Sequence, residues 1–337
     1  MMSESLKKKL SLQIDVSADD FKPADKQEQL DLIQFTKNTS YWKDAWRRLK
    51  KNKIAMIALC VIILFILFAF VGPLLSPYTY DQQIRGDENM APCWKHPFGT
   101  DLHGRDLLVR VMIGSRISLI IGIGAALIVL VIGSLYGAIS GLFGGIVDNI
   151  MMRIVEIIYS VPDILIVILL SIVLKDPLKK AFDTGGALGG LQKLGPGIVA
   201  IFIVYGMLYW VGMARIVRGQ VLQLKEMEYV NAATALGAKK SRLIRKHLLP
   251  NCVGTLIVTT MLQIPSAIFT EAFLSFLGLG VSAPMASLGS LASDALDGIQ
   301  SYPYRLLFPA IAISIIILAF NLFGDGLRDA LDPKLKK

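Results

Sequence analysis

The chain has 337 residues, of which 54% are hydrophobic and only 18% charged, and its mean hydropathy is +0.56. A water-soluble domain carries about 25% charge, and one aqueous core cannot absorb this apolar excess without exposing large patches. An ordinary soluble enzyme and a disordered chain are thereby excluded. The net charge of +9 is read as Lys and Arg distributed about a membrane, not as a nucleic-acid footprint.

Residues 1–53 are polar, with no hydrophobic run near Met1, and are expected to form a cytoplasmic tail rather than a signal peptide. Their last stretch, Tyr41 to Lys53, sets Trp42 and Trp46 beside Arg47, Arg48, Lys50 and Lys51. Rings and cations together suit the headgroup layer. Six apolar segments follow, at about 54–75, 117–142, 154–174, 197–213, 253–280 and 306–323. At 1.5 Å rise per residue, each crosses most or all of a hydrocarbon core of about 30 Å. The expected fold is all-α: a polytopic bundle of six membrane helices over 54–325, with a short tail at 326–337. With the N-terminus inside, 25 of the 35 Lys and Arg fall on the inner side, which predicts that both termini are cytoplasmic.

Gly133, Gly137 and Gly141 recur every fourth residue, followed by Gly145. That spacing lays bare backbone along one helix face and predicts a close helix crossing. Between the fourth and fifth segments, residues 226–250 have the pattern of a helical hairpin. Ala232 and Ala233 sit in a strong helix-forming run, Gly237 is placed to end it, and Leu249-Pro250 leads into the next span. An Ala-faced helix there offers a compact knob for a groove on a soluble partner, or an amphipathic loop lying on lipid. The residues alone leave both open.

Three ionisable groups, Glu156, Asp163 and Glu271, fall in or near membrane segments, where charge is expensive. Asp163 and Glu271 are candidates for lining a pathway or for bonding within the bundle, and in an ion-coupled carrier all three would hold a proton or sodium. The Gly99–Asp106 stretch approaches a phosphate-binding loop but has Arg105-Asp106 where Lys-Ser/Thr is needed. ATP is therefore expected on another chain. Cys60, Cys93 and Cys252 are too scattered for a zinc site, and no catalytic constellation or metal cluster is expected. His96 and His103 are read as solvated loop residues or as contacts for a metal-loaded binding protein, and His247 as a packing residue of the hairpin.

Glu228, Ala232-Ala233, Gly237 and Leu249-Pro250 resemble the EAA loop of ABC-transporter permeases. The spread form Glu-Tyr-Val-Asn-Ala-Ala is similar to that of the oligopeptide, dipeptide and nickel permease family. So are Phe98–Asp106, Gly144–Asp148 with Met152-Arg153 and Pro162, Glu271–Gly280, and Asn321–Asp329, most nearly as in its oligopeptide C subunits. The resemblance runs from about Tyr41 to the end. It implies the type I ABC importer permease fold in a bacterial cytoplasmic membrane. The implied partners are a second, homologous permease in a heterodimer, two cytoplasmic ATPases holding ATP and magnesium, and an external binding protein. This chain would hold no cofactor of its own and bind no nucleic acid. Glu228, Ala232, Ala233, Gly237, Leu249 and Pro250 would couple it to an ATPase, and Asp101 and Arg105 are candidate contacts for the binding protein. The implied substrates are oligopeptides or dipeptides, with nickel chelates or other small solutes as the alternative.

Overall fold

A computed structural model describes residues 41–183, 195–281 and 285–331. The tail at 1–40, the centre of the 175–197 loop and residues 332–337 lie outside the described residues. Among those described, the chain is helical, and its sole strand-like pairing is a bridge between Thr100 and Asp106. Five helices are long and apolar enough to cross a membrane, and a sixth crossing is formed if one sharply bent pair counts as a single span.

Helix α1 (Tyr41–Lys51) carries the interfacial aromatics and cations. Asn52 then caps α2 (Lys53–Phe70), its side chain accepting the Ala55 N–H at 3.1 Å. The short α3 (Gly72–Leu75) continues it with Pro73 in its first turn. Helix α4 (Leu107–Phe143) begins ten residues before the segment expected at 117–142. The charges that ended the apolar run on paper are matched in space. Arg110 meets Asp101, and Arg116 donates to the backbone carbonyls of Ala69 and Phe70 at 3.0 and 3.2 Å.

The segment expected as one span at 154–174 is instead two helices, α5 (Gly145–Ser160) and α6 (Asp163–Asp183), meeting at 86°. Pro162 is the cause. It lacks the N–H that would continue the ladder, and it drives the preceding Val161 to an extended conformation (φ −97°, ψ 137°). The expected span at 197–213 is longer: α7 (Gly195–Leu208) passes into α8 (Trp210–Leu224) with one residue between them. After the hairpin comes α11 (Val253–Phe276). The short α12 (Leu288–Asp294) follows, opened by a capping box at Ser287 and Ser290. The last helix, α13 (Tyr304–Leu331), runs past 325 into the expected tail. Its polar end stays helical because Leu327 and Ala330 pack on Leu49 and Ala55 of the α1–α2 region, with Gly326 against Ala55.

Helix α4 is the spine. It packs along α8, α11, α7 and α2, and α13 packs on α2 and α11. Two apolar cores result. One joins α4, α7 and α8 to the hairpin through Val129, Tyr205, Val217 and Leu248, and the other joins α2, α4, α11 and α13 through Phe65, Leu119, Ile268 and Ile316. The outer faces of α5 and α6 remain exposed and apolar, with Ile146, Ile157, Leu165 and Leu169 uncovered.

Candidate coupling site

The 226–250 segment forms a hairpin on the bundle. Its first arm is α9 (Glu228–Ala235), and its second is the single turn α10 (Lys240–Leu243). The turn between them is set by Gly237, whose φ of +80° an L side chain rarely adopts. Ala238 N–H donates to the Ala233 carbonyl at 3.1 Å and Gly237 N–H to that of Thr234 at 2.9 Å. This is the paired closure of a Schellman cap, and it seals the exposed end of α9 without help from the rest of the protein.

The second arm widens into a π turn at Ile244–Leu248, then tightens to a 3-10 turn at Leu249–Cys252 before α11. Pro250 accounts for the irregularity, since it has no N–H to give and its ring crowds the preceding turn. Val230, Leu243, Ile244 and Leu248 are buried in the core, so the base of the hairpin is anchored. Lys240 tethers it further, with its ammonium 4.0 Å from the centre of the Phe143 ring at the end of α4.

The opposite side is free. Glu228, Ala232, Gly237 and Pro250 are exposed, and Ala233 and Leu249 are half-buried. Leu236, at the apex, is 88% exposed, and Met227 and Tyr229 are exposed at the opposite end of α9. The motif residues thus form one small-residue ridge crowned by an apolar tip. Leu236 was not singled out from the sequence, because a Leu at the end of an Ala-rich helix carries no sign of which way it points.

Behind the hairpin, the glycine face of α4 seats α8. A side chain at Gly133 would strike Met213 and the Trp210 carbonyl, one at Gly137 would strike Val217 and the Ala214 carbonyl, and one at Gly141 would strike Val221 and the Arg218 carbonyl. A polar clamp closes the same corner. Arg218 donates from Nε and Nη2 to both oxygens of Asp148 at 2.6 Å, and Ser140 donates to Asp148 at 2.5 Å, tying α4, α5 and α8 together. Asp148 and Arg218 lie 70 residues apart, a separation no local pattern bridges.

Residues 133–337 match the family described as binding-protein-dependent transport system inner membrane component, and residues 40–92 match the N-terminal TM domain of oligopeptide transport permease C. The chain belongs to this family of transport permeases. It is 50% identical over 301 residues to the oligopeptide transport system permease protein OppC of Bacillus subtilis, covering 89% of this chain and 92% of that one. Identity to the dipeptide transport system permease protein DppC of the same organism is 49% over 299 residues, 88% of this chain and 87% of the relative. OppC of Escherichia coli K12 is 44% identical over 297 residues, 88% and 92% of the two chains. The protein is an ABC importer permease, multi-pass in the inner membrane.

Within this permease the two acidic pathway candidates separate. Glu271 is fully buried and accepts hydrogen bonds from Ser118 at 2.6 Å and Ser275 at 2.7 Å, while Ser275 Oγ accepts the Val281 N–H at 3.0 Å. It bonds α4 to the end of α11 from a fully enclosed position, the bundle-bonding role of those expected for it. Asp163 is exposed at the α5–α6 elbow and lines a cavity of about 520 Å³ with Tyr159, Tyr209 and Gln263. Glu156 lies exposed on α5 and accepts from Arg153 at 2.9 Å.

In the 87–110 region His96 departs from the expectation of a solvated loop residue, while His103 is exposed as expected. His96 is fully buried, with Nδ1 2.7 Å from Asp106 and Nε2 3.6 Å from Asp87. Asp106 also caps α4 by accepting the Val109 N–H at 2.9 Å. Asp101 is only 4% exposed, so it is not presented to a binding protein as expected. It pairs with buried Arg110, accepts from Arg105 Nε at 2.7 Å, and accepts the backbone N–H groups of His103 and Arg105 at 2.8 and 3.0 Å. Arg105 is the more accessible member, and the large apolar side chains this region presents outward are Trp94, fully exposed, and Leu102.

Burial raises the proton affinity of Asp101, but the Arg110 and Arg105 guanidinium groups and the two N–H donors outweigh it and hold the carboxyl below its ordinary value. A carboxyl held low in the folded state stabilises above its unfolded value and loses that contribution as pH falls through the folded one. Hydrogen exchange of the 99–106 amides, divided by the intrinsic rate at each pH, is therefore expected to stay slow near neutrality and to quicken below roughly pH 4, the unperturbed carboxylate value. In Asp101→Asn it is expected to be fast at both pH values. An unchanged acid response in that variant would assign the effect to another carboxylate.

Proposed function

We propose that this permease carries oligopeptides or dipeptides into the cytoplasm, driven by two ATPase subunits that grip the 226–250 hairpin. One observation carries the reading: a self-capped, small-residue ridge with an exposed apolar tip stands on a base buried in the protein's own apolar core. The 50% and 49% identity to permeases named for oligopeptide and dipeptide transport supports the substrate class.

The charge asymmetry supports a cytoplasmic position for the hairpin and both termini, on the side where ATP is found. ATP and magnesium are held by the ATPases, and this chain supplies no nucleotide site. A second, homologous permease covers the exposed faces of α5 and α6, and the pathway runs between the two subunits. A binding protein delivers substrate from outside. ATP-driven closure of the motor shifts the hairpin, and the buried base passes that shift to α4, α8 and α11. The stroke does work only if motor and hairpin touch differently in the two states.

Reconstitution of the four-subunit complex with its binding protein in liposomes tests this reading. Labelled tripeptide is expected to accumulate only with ATP on the motor side. Accumulation of a nickel chelate but of no peptide would move the assignment to the alternative substrate class. Uptake by this chain alone on an ion gradient would replace it with a secondary carrier.

A further inference from the structure

Two cavities lie along α5, one at its elbow with α6 and one nearer its N-terminal end, against α8. The first, about 520 Å³, holds Asp163. Its carboxylate accepts the Ile164 N–H at 2.9 Å and shares the cavity with Tyr209, but among the described residues it has no cationic partner. The second, about 620 Å³, is lined by Arg153, Arg215 and Arg218, with Glu156 and Asn149. Arg153 is paired with Glu156 and Arg218 with Asp148. Arg215 instead lies 4.2 Å from the centre of the Tyr159 ring, with no carboxylate in ion-pair distance among the described residues. One uncompensated negative charge and one uncompensated positive charge thus sit on either side of Tyr159, which lines the first cavity and carries the cation of the second.

We propose that these cavities are paired subsites for the two ends of a short zwitterionic peptide, Asp163 receiving the ammonium and Arg215 the carboxylate. The proposal rests on the peptide reading above. Isolated charges in a membrane segment are expensive, and opposite charges on the passing solute offset that cost during passage. Spacing sets a length. Tyr209 and Arg215 are six residues apart on the α7–α8 rod, a rise of roughly 9 Å, which an extended chain of about two to three residues spans. A guanidinium binds a carboxylate with directed, charge-assisted bonds, while the exposed Tyr159 face adds attraction for an ammonium.

The test compares trialanine, its C-terminal amide and its N-acetyl derivative in liposomes holding the full complex, with each rate divided by the measured occupancy of the binding protein. Wild type is expected to move trialanine about fivefold faster than either derivative, the scale of losing one charge-assisted contact. Arg215→Gln is expected to erase the preference over the amide alone, and Asp163→Asn the preference over the acetyl derivative alone. Equal wild-type rates for all three peptides, or variants that slow all three alike, would overturn the paired subsites while leaving peptide transport standing. Failure of wild type to move any of them with ATP would defeat the peptide reading itself and this proposal with it.

Discussion

Leu236→Asp is expected to abolish substrate-stimulated ATP hydrolysis in the reconstituted complex while leaving membrane insertion intact. Leu236 is the most exposed large apolar side chain on the hairpin and makes no core contact, so its loss removes little from the folded subunit. An apolar tip that seats in a partner's pocket is the kind of residue whose removal costs about 2 kcal/mol or more of association, roughly thirtyfold in affinity. The aspartate also brings an unfavourable charge to a helix C-terminus. Leu236→Ser separates the two effects, since it deletes the apolar contact without adding charge, and it is expected to retain a minor fraction of the stimulation. Motor binding measured by pull-down should fall in parallel. Wild-type stimulation in both variants would show that the motor grips elsewhere.

Gly137→Leu is expected to be the most destabilising of the glycine-face substitutions. Its Cβ alone would press on the backbone of α8 at Ala214 and Arg218 as well as on Val217, and backbone cannot step aside as a side-chain tip can. Overpacking ordinarily costs about 1–3 kcal/mol, and this site belongs at or beyond the upper end. Purified subunit should melt earlier and elute as aggregate, with loss of complex assembly. Gly219→Ala is the matched comparison on α8 itself: nothing lies within 4 Å of a side chain there, and a better helix former replaces a poor one. It should be neutral or slightly stabilising. If Gly137→Leu melted with wild type, the α4–α8 crossing would not be close-packed in the membrane.

The helices were legible wherever apolar character was continuous, and their ends were misjudged wherever a charge interrupted it. Arg110, Arg116, Arg215 and Arg218 each stand inside a helix that the hydropathy pattern ended or began beside them. Arg110, Arg116 and Arg218 each meet a polar group that the fold brings to them, and Arg215 lies over the Tyr159 ring. The elbow at Pro162 had its signal in plain view, but an apolar run on both sides hid it behind the count for one span. The hairpin was the most readable functional element because its information is local: Ala-rich helix, a Gly to reverse it, Pro to restart. Burial of His96, Asp101 and Glu271 was not readable, since each depends on partners brought together by the fold. Leu236 was missed for the same reason in reverse, because exposure is decided by what the fold leaves uncovered.

Helix α4 reaches from the Asp106 cap, inside the locked 87–106 loop, to Phe143 under Lys240 of the hairpin. Its 37 residues make a rod of about 55 Å without a proline. Both ends are pinned by side chains, so the rod has a fixed phase as well as a fixed length, and each residue accounts for 100° of turn. In the proposed assembly, docking on the far rim and engagement of the motor would act on the two ends of one helix. A displacement imposed at one mouth then reaches the other along a single unbroken hydrogen-bonded ladder.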